Sequence, residues 1–200
     1  MTVAGAVFLL LAMLFGNLIP PPQPPAPANG PASDGPTYDK DKLIAPKNYR
    51  EWIYLSSGLD MSYTARDKAP DHSMFDNVFV NPEAYKVFKE TGKWPDKTMF
   101  VLEVRGAESA GSINKAGHFQ STDVMGAEVH LKDASRGGWA FYDLDGDRGT
   151  LIAKTANCYS CHEQHAAVDT TFVQFYPTLI GIAKAKGTLS IAYQGENSGK

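Results

Sequence analysis

The chain has 200 residues and a formal net charge of −3, with 43% hydrophobic and 11% aromatic residues. This slightly acidic composition leaves no basic surface for nucleic acid, and a disordered chain could not bury so many aromatic side chains. Two cysteines are too few for a multi-disulfide scaffold or a four-cysteine zinc site.

The first 37 residues predict an export signal and a tether. Val3–Ile19 is an apolar run that fits the core of a secretory signal and is short for a membrane span, which needs roughly 20 apolar residues. No basic residue precedes the run and no small-residue cleavage site directly follows it, so an uncleaved membrane anchor stays open. Pro20–Pro36 holds 8 of the 13 prolines, a composition typical of an extended spacer. We predict a signal peptide or anchor at 1–19, a proline-rich linker at 20–37 and a folded domain at 38–200.

The folded part predicts an α+β architecture. Pro46–Ile53 has helical spacing and leads into a strand. Asn81–Glu83 is typical of a helix start, and this helix should end at Thr91–Gly92. Asp169–Gly187 predicts helix, kinked or divided at Pro177. Four stretches rich in Val, Phe or Tyr predict strands at 73–80, 98–105, 123–132 and 138–144. We expect a mainly antiparallel β-sheet with one inserted helix and helices near the C-terminus.

Cys158, Cys161 and His162 form a C-x-x-C-H motif, the attachment signature of c-type haem. Two thiols three residues apart on a helical turn can both reach the vinyl groups of one porphyrin, and the adjacent imidazole can then face the iron. We therefore predict one covalent haem c per chain, with His162 as the axial ligand of the iron. Because such haem is attached outside the cytoplasm, the motif agrees with a periplasmic or otherwise extracytoplasmic location.

Three other interpretations of the two cysteines stay open. A thioredoxin-type redox pair shares the spacing, although its usual βαβ setting is missing from the pattern. A disulfide between residues three apart would close too small a loop to stabilise the protein much. A zinc site would need a fourth ligand, which His165 could supply.

The sixth coordination position of the iron has no obvious ligand. Electron-transfer cytochromes usually have His/Met ligation, but no methionine follows the motif here. His72, His118 and His130 could ligate the iron, yet His130 alternates with apolar neighbours and is expected to be exposed on its strand. We therefore expect an open site where a small molecule can meet the iron. The earlier methionines of the folded part are predicted to be core filler: Met61, Met74, Met99 and Met125.

Several further segments occur in a specific order between about Leu43 and Gly187. They are PKNYREW (46–52), VNPEAYKVFKETG (80–92), MGAEVHLKD (125–133), GGWAFY (137–142), CYSCH (158–162), FVQFYPTL (172–179) and AKAKG (183–187). With this pattern the chain resembles the cytochrome P-460 family, which includes the cytochromes c-prime-beta. The resemblance implies a mostly antiparallel β fold, commonly a homodimer, located outside the cytoplasmic membrane.

The resemblance also implies roles for individual residues. His162 corresponds to the proximal ligand of a five-coordinate haem, and Cys158 and Cys161 correspond to its thioether attachments. Glu128 falls where the family places a distal carboxylate thought to relay protons. Two interpretations of Glu128 remain: an exposed acid paired with a lysine, or a carboxyl facing the haem pocket, whose pKa is raised by burial.

The chain departs from the family at the distal side. Members that oxidise hydroxylamine carry a lysine joined to the porphyrin edge, and that position here is Leu102, with no lysine between Thr98 and Asn114. A distal arginine of some members aligns with Asp76. Leu102 would make a dry apolar ceiling in the distal pocket, which favours uncharged diatomic ligands over a polar amine.

These features together predict an exported mono-haem c-type cytochrome with an open distal site. We expect it to bind or redox-transform small nitrogen oxides, either nitric oxide or hydroxylamine, and to exchange electrons with a redox partner protein. The sequence leaves open whether the protein is an oxidoreductase. The alternative is an electron-transfer cytochrome c without small-molecule catalysis.

Overall fold

The computed structural model describes residues 35–63, 65–66, 68 and 70–197. The predicted signal peptide or anchor at 1–19 and most of the predicted linker at 20–37 lie outside the described residues. Within these ranges, none of the helices is long and apolar enough to cross a membrane.

One eight-stranded sheet forms the frame of the protein, and all neighbouring strands are antiparallel. The spatial order is β1-β2-β8-β7-β6-β5-β4-β3. The strands are β1 Tyr38–Asp39, β2 Lys42–Ile44, β3 Ile53–Leu59, β4 Met74–Val80, β5 Met99–Glu108, β6 Phe119–Asp133, β7 Gly138–Asp145 and β8 Arg148–Leu151. The predicted α+β class with a mainly antiparallel sheet is confirmed.

One helix is inserted between strands, as predicted, and three follow the sheet. They are α1 Pro82–Thr91, α2 Asn157–His165, α3 Ile180–Lys186 and α4 Ile191–Asn197. Pro82 lies in the first turn of α1, and Gly92 ends the helix at φ +71°, the left-handed conformation that glycine adopts without strain. Asn81 precedes the helix, but its side chain accepts a hydrogen bond from the Met99 amide (2.8 Å) instead of capping α1.

The other two predicted helical segments are helical over part of their length only. A 3₁₀ turn at Tyr49–Glu51 leads into β3. The predicted helix at 169–187 is a 3₁₀ turn at Val173–Phe175 followed by α3, and Pro177 lies between them. The sequence did not predict β1, β2, β8 or α4. The three strands have only two to four residues each, too few to show a period of two.

Alternation along the strands produces two apolar layers, one on each face of the sheet. On the helix-covered face, Val80 and Phe100 pack with Phe88 of α1 and with Leu179 and Ala183 at α3. The opposite face, called here the second face, packs strands β5 to β7 with the chain around β2 and the 3₁₀ turn that precedes β3. Its buried residues include Leu43, Trp52, Met99, Val101, Val129, Leu131 and Tyr142.

Candidate functional site

Helix α2 carries the whole C-x-x-C-H motif, and Tyr159 within the motif holds this helix against β7. The Tyr159 ring stacks on Phe141, with ring centroids 4.3 Å apart and planes at 13°. Its hydroxyl accepts a hydrogen bond from the Phe141 amide (2.9 Å) and donates one to the Ile152 carbonyl (3.2 Å). The residue between the cysteines therefore orients the helix that carries them.

His162 has the tautomer and charge of a metal ligand. Its Nδ1 lies 2.7 Å from the Thr170 carbonyl oxygen, and since a carbonyl can only accept, Nδ1 carries the hydrogen and Nε2 keeps its lone pair. The ring packs against Phe172 and Phe141, with centroids 4.3 Å and 4.7 Å away. Burial, together with the neighbouring His130, lowers the pKa of His162 to about 4. The imidazole is therefore neutral at pH 7, the form that binds a metal.

A mainly apolar cavity extends from His162 across the helix-covered face. His162 packs on Phe141 of β7, whereas Asp76 at the far wall belongs to β4, three strands away in the sheet. At the usual spacing between strands this separation is about 14 Å. The lining residues are Ser56, Gly58, Met61, Tyr63, Asp76, Val78, Phe100, Leu102, His130, His162, Thr171, Phe172, Phe175 and Tyr176.

Leu102 lines the same cavity as His162. In the register of the sheet it lies opposite Val78 on β4 and Glu128 on β6. Leu102 and Val78 therefore form an apolar surface at the middle of the cavity.

Glu128 is placed at the edge of this site and outside the cavity lining. Its side chain is 43% exposed, and its Oε2 lies 3.4 Å from Nε2 of His130. The hydrogen bond with His130 lowers the pKa of Glu128 more than burial raises it. The partner is a histidine, where the first interpretation expected a lysine, and the pKa is lowered, where the second expected burial to raise it.

The prediction that His130 is exposed is wrong. Its side chain is 16% exposed and lines the cavity, where its ring stacks on Phe141 at 4.1 Å and meets the His162 ring edge-on at 4.8 Å. Alternation along β6 correctly puts His130 and the apolar residues beside it on opposite faces. The face that carries His130 is packed against α2, however, and not exposed to solvent.

The prediction that four methionines fill the core holds for one of them. Met99 is buried, whereas Met74 and Met125 are exposed. Met61 lines the cavity, and its thioether packs so closely on Gly58 that a side chain at position 58 would clash with the sulfur. Nothing in the local sequence pattern indicated this position, because Met61 follows β3 in a loop.

The structure does not support the three other interpretations of the cysteines. Cys158 and Cys161 are free thiols, and burial raises the pKa of Cys161, whereas a redox-active cysteine needs a lowered one. His165, the residue that could supply a fourth zinc ligand, is hydrogen-bonded through Nδ1 to the Glu196 carboxylate. Across the described residues, no group of three or more His, Cys, Asp or Glu side chains could hold a metal ion.

The residues present fit a c-type haem. Two free thiols and a neutral imidazole lie on one helix beside an apolar cavity. In addition, Thr170 Oγ1 and Trp139 Nε1 are buried without a partner among the described residues. Thr170 supplies the carbonyl to His162, and Trp139 is two residues before Phe141 on the same strand. Because buried donors are ordinarily paired, these two atoms indicate where a further acceptor belongs. The carboxylates of a haem are acceptors of the required kind.

Comparison with known proteins agrees with this arrangement. The profile of the family described as cytochrome P-460 matches residues 46–173, a span that includes α1, strands β3 to β8 and the C-x-x-C-H helix. No curated protein matches the chain. Because the matched span covers more than half of the sequence, the chain belongs to the cytochrome P-460 family and is, as a member of it, a haem-binding protein.

Proposed function

We propose that this protein is an exported mono-haem c-type cytochrome that binds small nitrogen oxides, nitric oxide above all, at the open face of a five-coordinate haem. The observation that carries the proposal is the arrangement of donors around the cavity. His162 bounds one end, and His130 lies on the same side, with its ring 4.8 Å from that of His162. Within the described part of the chain the cavity lining contains no other histidine, so no imidazole from it faces His162 across the far wall.

Each residue of the motif has a distinct part in this proposal. Cys158 and Cys161 would hold the porphyrin through thioether bonds, and Nε2 of His162 would bind the iron. The bound haem supplies an iron atom that takes a diatomic ligand and exchanges electrons. Leu102 and Val78 keep water away from the ligand position, which favours an uncharged ligand such as nitric oxide.

Glu128 and His130 offer a route for protons at the edge of the site. The carboxylate oxygen and Nε2 are 3.4 Å apart, so a proton can pass between them when a ligand releases or takes one up. This pair is the basis for proposing hydroxylamine as a second substrate, with Glu128 as the proton relay. The proposal further includes an extracytoplasmic location, a redox partner protein and a homodimer, all carried over from the family resemblance and the apolar N-terminal run.

Optical spectra of the purified holoprotein test the open site. We expect five-coordinate, high-spin spectra in the ferric and ferrous states, and a new spectrum when nitric oxide is added to the ferrous protein. Low-spin, six-coordinate spectra in both states, unchanged by nitric oxide, would contradict the proposal.

A second candidate function rests on Met61. Its thioether lies in the far wall of the cavity, and a methionine sulfur opposite His162 would make an electron-transfer cytochrome. If the holoprotein is low-spin, Met61→Leu should convert it to a high-spin form. Met74→Leu is the matched control, because Met74 is exposed and outside the cavity lining.

A further inference from the structure

The far wall of the cavity carries one acid that nothing in the described structure neutralises. Asp76 is half-buried and is the only carboxylate among the described residues that line the cavity. No hydrogen bond or ion pair joins its carboxylate to any residue that the structure describes. Buried acids of structural importance are normally paired, so the position of Asp76 needs another explanation.

The sheet register directs Asp76 toward the ligand position. Asp76 pairs with Gly58 on β3 and with Val104 on β5, and Val78, two residues further along β4, pairs with Leu102. Side chains two residues apart on a strand share a face. The Asp76 carboxylate therefore lies beside the apolar surface formed by Val78 and Leu102.

The groups around Asp76 do not offset its charge. Asp60 and Glu128 are both acids, and together with burial they raise the pKa of Asp76. Tyr63 is the phenol on this side of the cavity, and its own pKa is raised by burial and by Asp76. His130 faces the same cavity but is hydrogen-bonded to Glu128. The far wall therefore carries a carboxyl group that no neighbouring cation among the described residues offsets, in surroundings of low dielectric constant, where a charge acts over a longer range than in water.

We propose that Asp76 is a specificity-determining residue whose carboxylate excludes anionic ligands from the iron while leaving the binding of nitric oxide unaffected. The inference rests on the proposed function and deepens it, because it names which ligands the open site rejects. An anion such as azide or nitrite is repelled by the carboxylate, whereas uncharged nitric oxide has no net charge to repel. Leu102 and Val78 make the middle of the cavity apolar, and Asp76 adds selection by charge.

The test is an azide titration of the ferric holoprotein at pH 7, followed by its absorption spectrum. Asp76→Asn keeps the size of the side chain and removes the charge, and we expect azide to bind about tenfold more tightly than to the wild type. Asp76→Glu should retain weak azide binding. Asp76→Ala gives a second uncharged variant and should bind azide as tightly as Asp76→Asn.

Asp60→Asn is the matched control. It removes one acid charge from the same neighbourhood, but Asp60 lies outside the cavity lining and accepts a hydrogen bond from the Met74 amide (2.9 Å). We expect this variant to change azide affinity by less than twofold. The reduction potential gives an independent readout, because losing a negative charge near the iron disfavours the ferric state and should raise the potential in Asp76→Asn but far less in Asp60→Asn.

The outcomes separate this inference from the proposed function. If the wild type and Asp76→Asn both bind nitric oxide but have azide affinities within twofold of each other, the inference is wrong and the proposed function stands. If the wild type does not bind nitric oxide, the proposed function is wrong and this inference fails with it.

Discussion

The acids buried on the second face are paired, whereas Asp76 on the helix-covered face is not. On the second face, Glu103 is almost fully buried, with 2% of its surface exposed, and accepts hydrogen bonds from Tyr49, Arg50 and Arg105. Burial alone would raise the pKa of Glu103, but these three donors together lower it. On the helix-covered face, Asp76 is only half-buried and has no partner in the described residues, so its pKa is raised.

Asp133 repeats the pattern of the second face. It is 3% exposed, and its carboxylate bonds Lys97, Ser135 and Tyr38. Burial opposes ionisation, yet the hydrogen bonds from these partners lower the pKa of Asp133 to about 2. The difference between these acids indicates which of them stabilise the fold and which are available for chemistry. An acid kept inside without partners destabilises the protein, so it is expected where it has a function.

The largest effect should come from removing the two cysteine thiols on the helix-covered side, which would attach the haem. In the double variant Cys158→Ala with Cys161→Ala, no thioether can form, so we expect haem to be lost from the polypeptide on a denaturing gel stained for haem. Ser160→Ala is the control, since Ser160 is exposed and bonds only the Asn157 carbonyl. Haem that stays on the double variant would show that attachment does not use these thiols.

A smaller effect, on the free energy of unfolding, is expected when the buried acid Glu103 of the second face is changed. Glu103→Gln leaves the guanidinium groups of Arg50 and Arg105 without a carboxylate, and should lower the free energy of unfolding by about 2 kcal/mol at pH 7. Urea denaturation of the holoprotein measures this loss, and the absorption spectrum should not change. Because the pKa of Glu103 is lowered in the folded state, its contribution is present above the pKa of an unfolded glutamate and disappears as the pH falls through the folded value.

The exposed Glu108 at the end of the same strand provides the control for that measurement. Glu108→Gln should change the free energy of unfolding by less than about 0.5 kcal/mol. If the two variants are equally stable, the charged network on the second face does not stabilise the fold.

The smallest effect should be a gain in stability, opposite in sign to the loss expected for Glu103→Gln. Since the pKa of Asp76 is raised, the folded state holds its proton more tightly than the unfolded state, and the stability from this group falls as the pH rises through the folded pKa. Asp76→Asn should therefore raise the free energy of unfolding slightly at pH 7, by less than Glu103→Gln lowers it. The gain should vanish below about pH 4, the pKa of an unfolded aspartate. Thermal unfolding at both pH values measures the change, and a loss of stability at pH 7 would mean that Asp76 is a structural acid.

The sequence by itself determined the features that depend on near neighbours in the chain. The C-x-x-C-H motif, the bounds of α1 and the four main strands follow from spacing over a few residues, as does the division at Pro177. The position of Leu102 in the distal pocket was expected from the family resemblance, and the structure places Leu102 in the same cavity as His162.

Only the tertiary structure decided what covers each face and which distant residues meet there. Alternation cannot say whether a face meets solvent or a helix, so His130 was expected to be exposed although α2 covers it. Met61 and Asp76 reach the cavity because the β3–β4 edge folds opposite a helix more than 80 residues later in the chain. Contacts of that range depend on the register of the whole sheet, and a one-residue shift in any strand would turn its side chains to the other face.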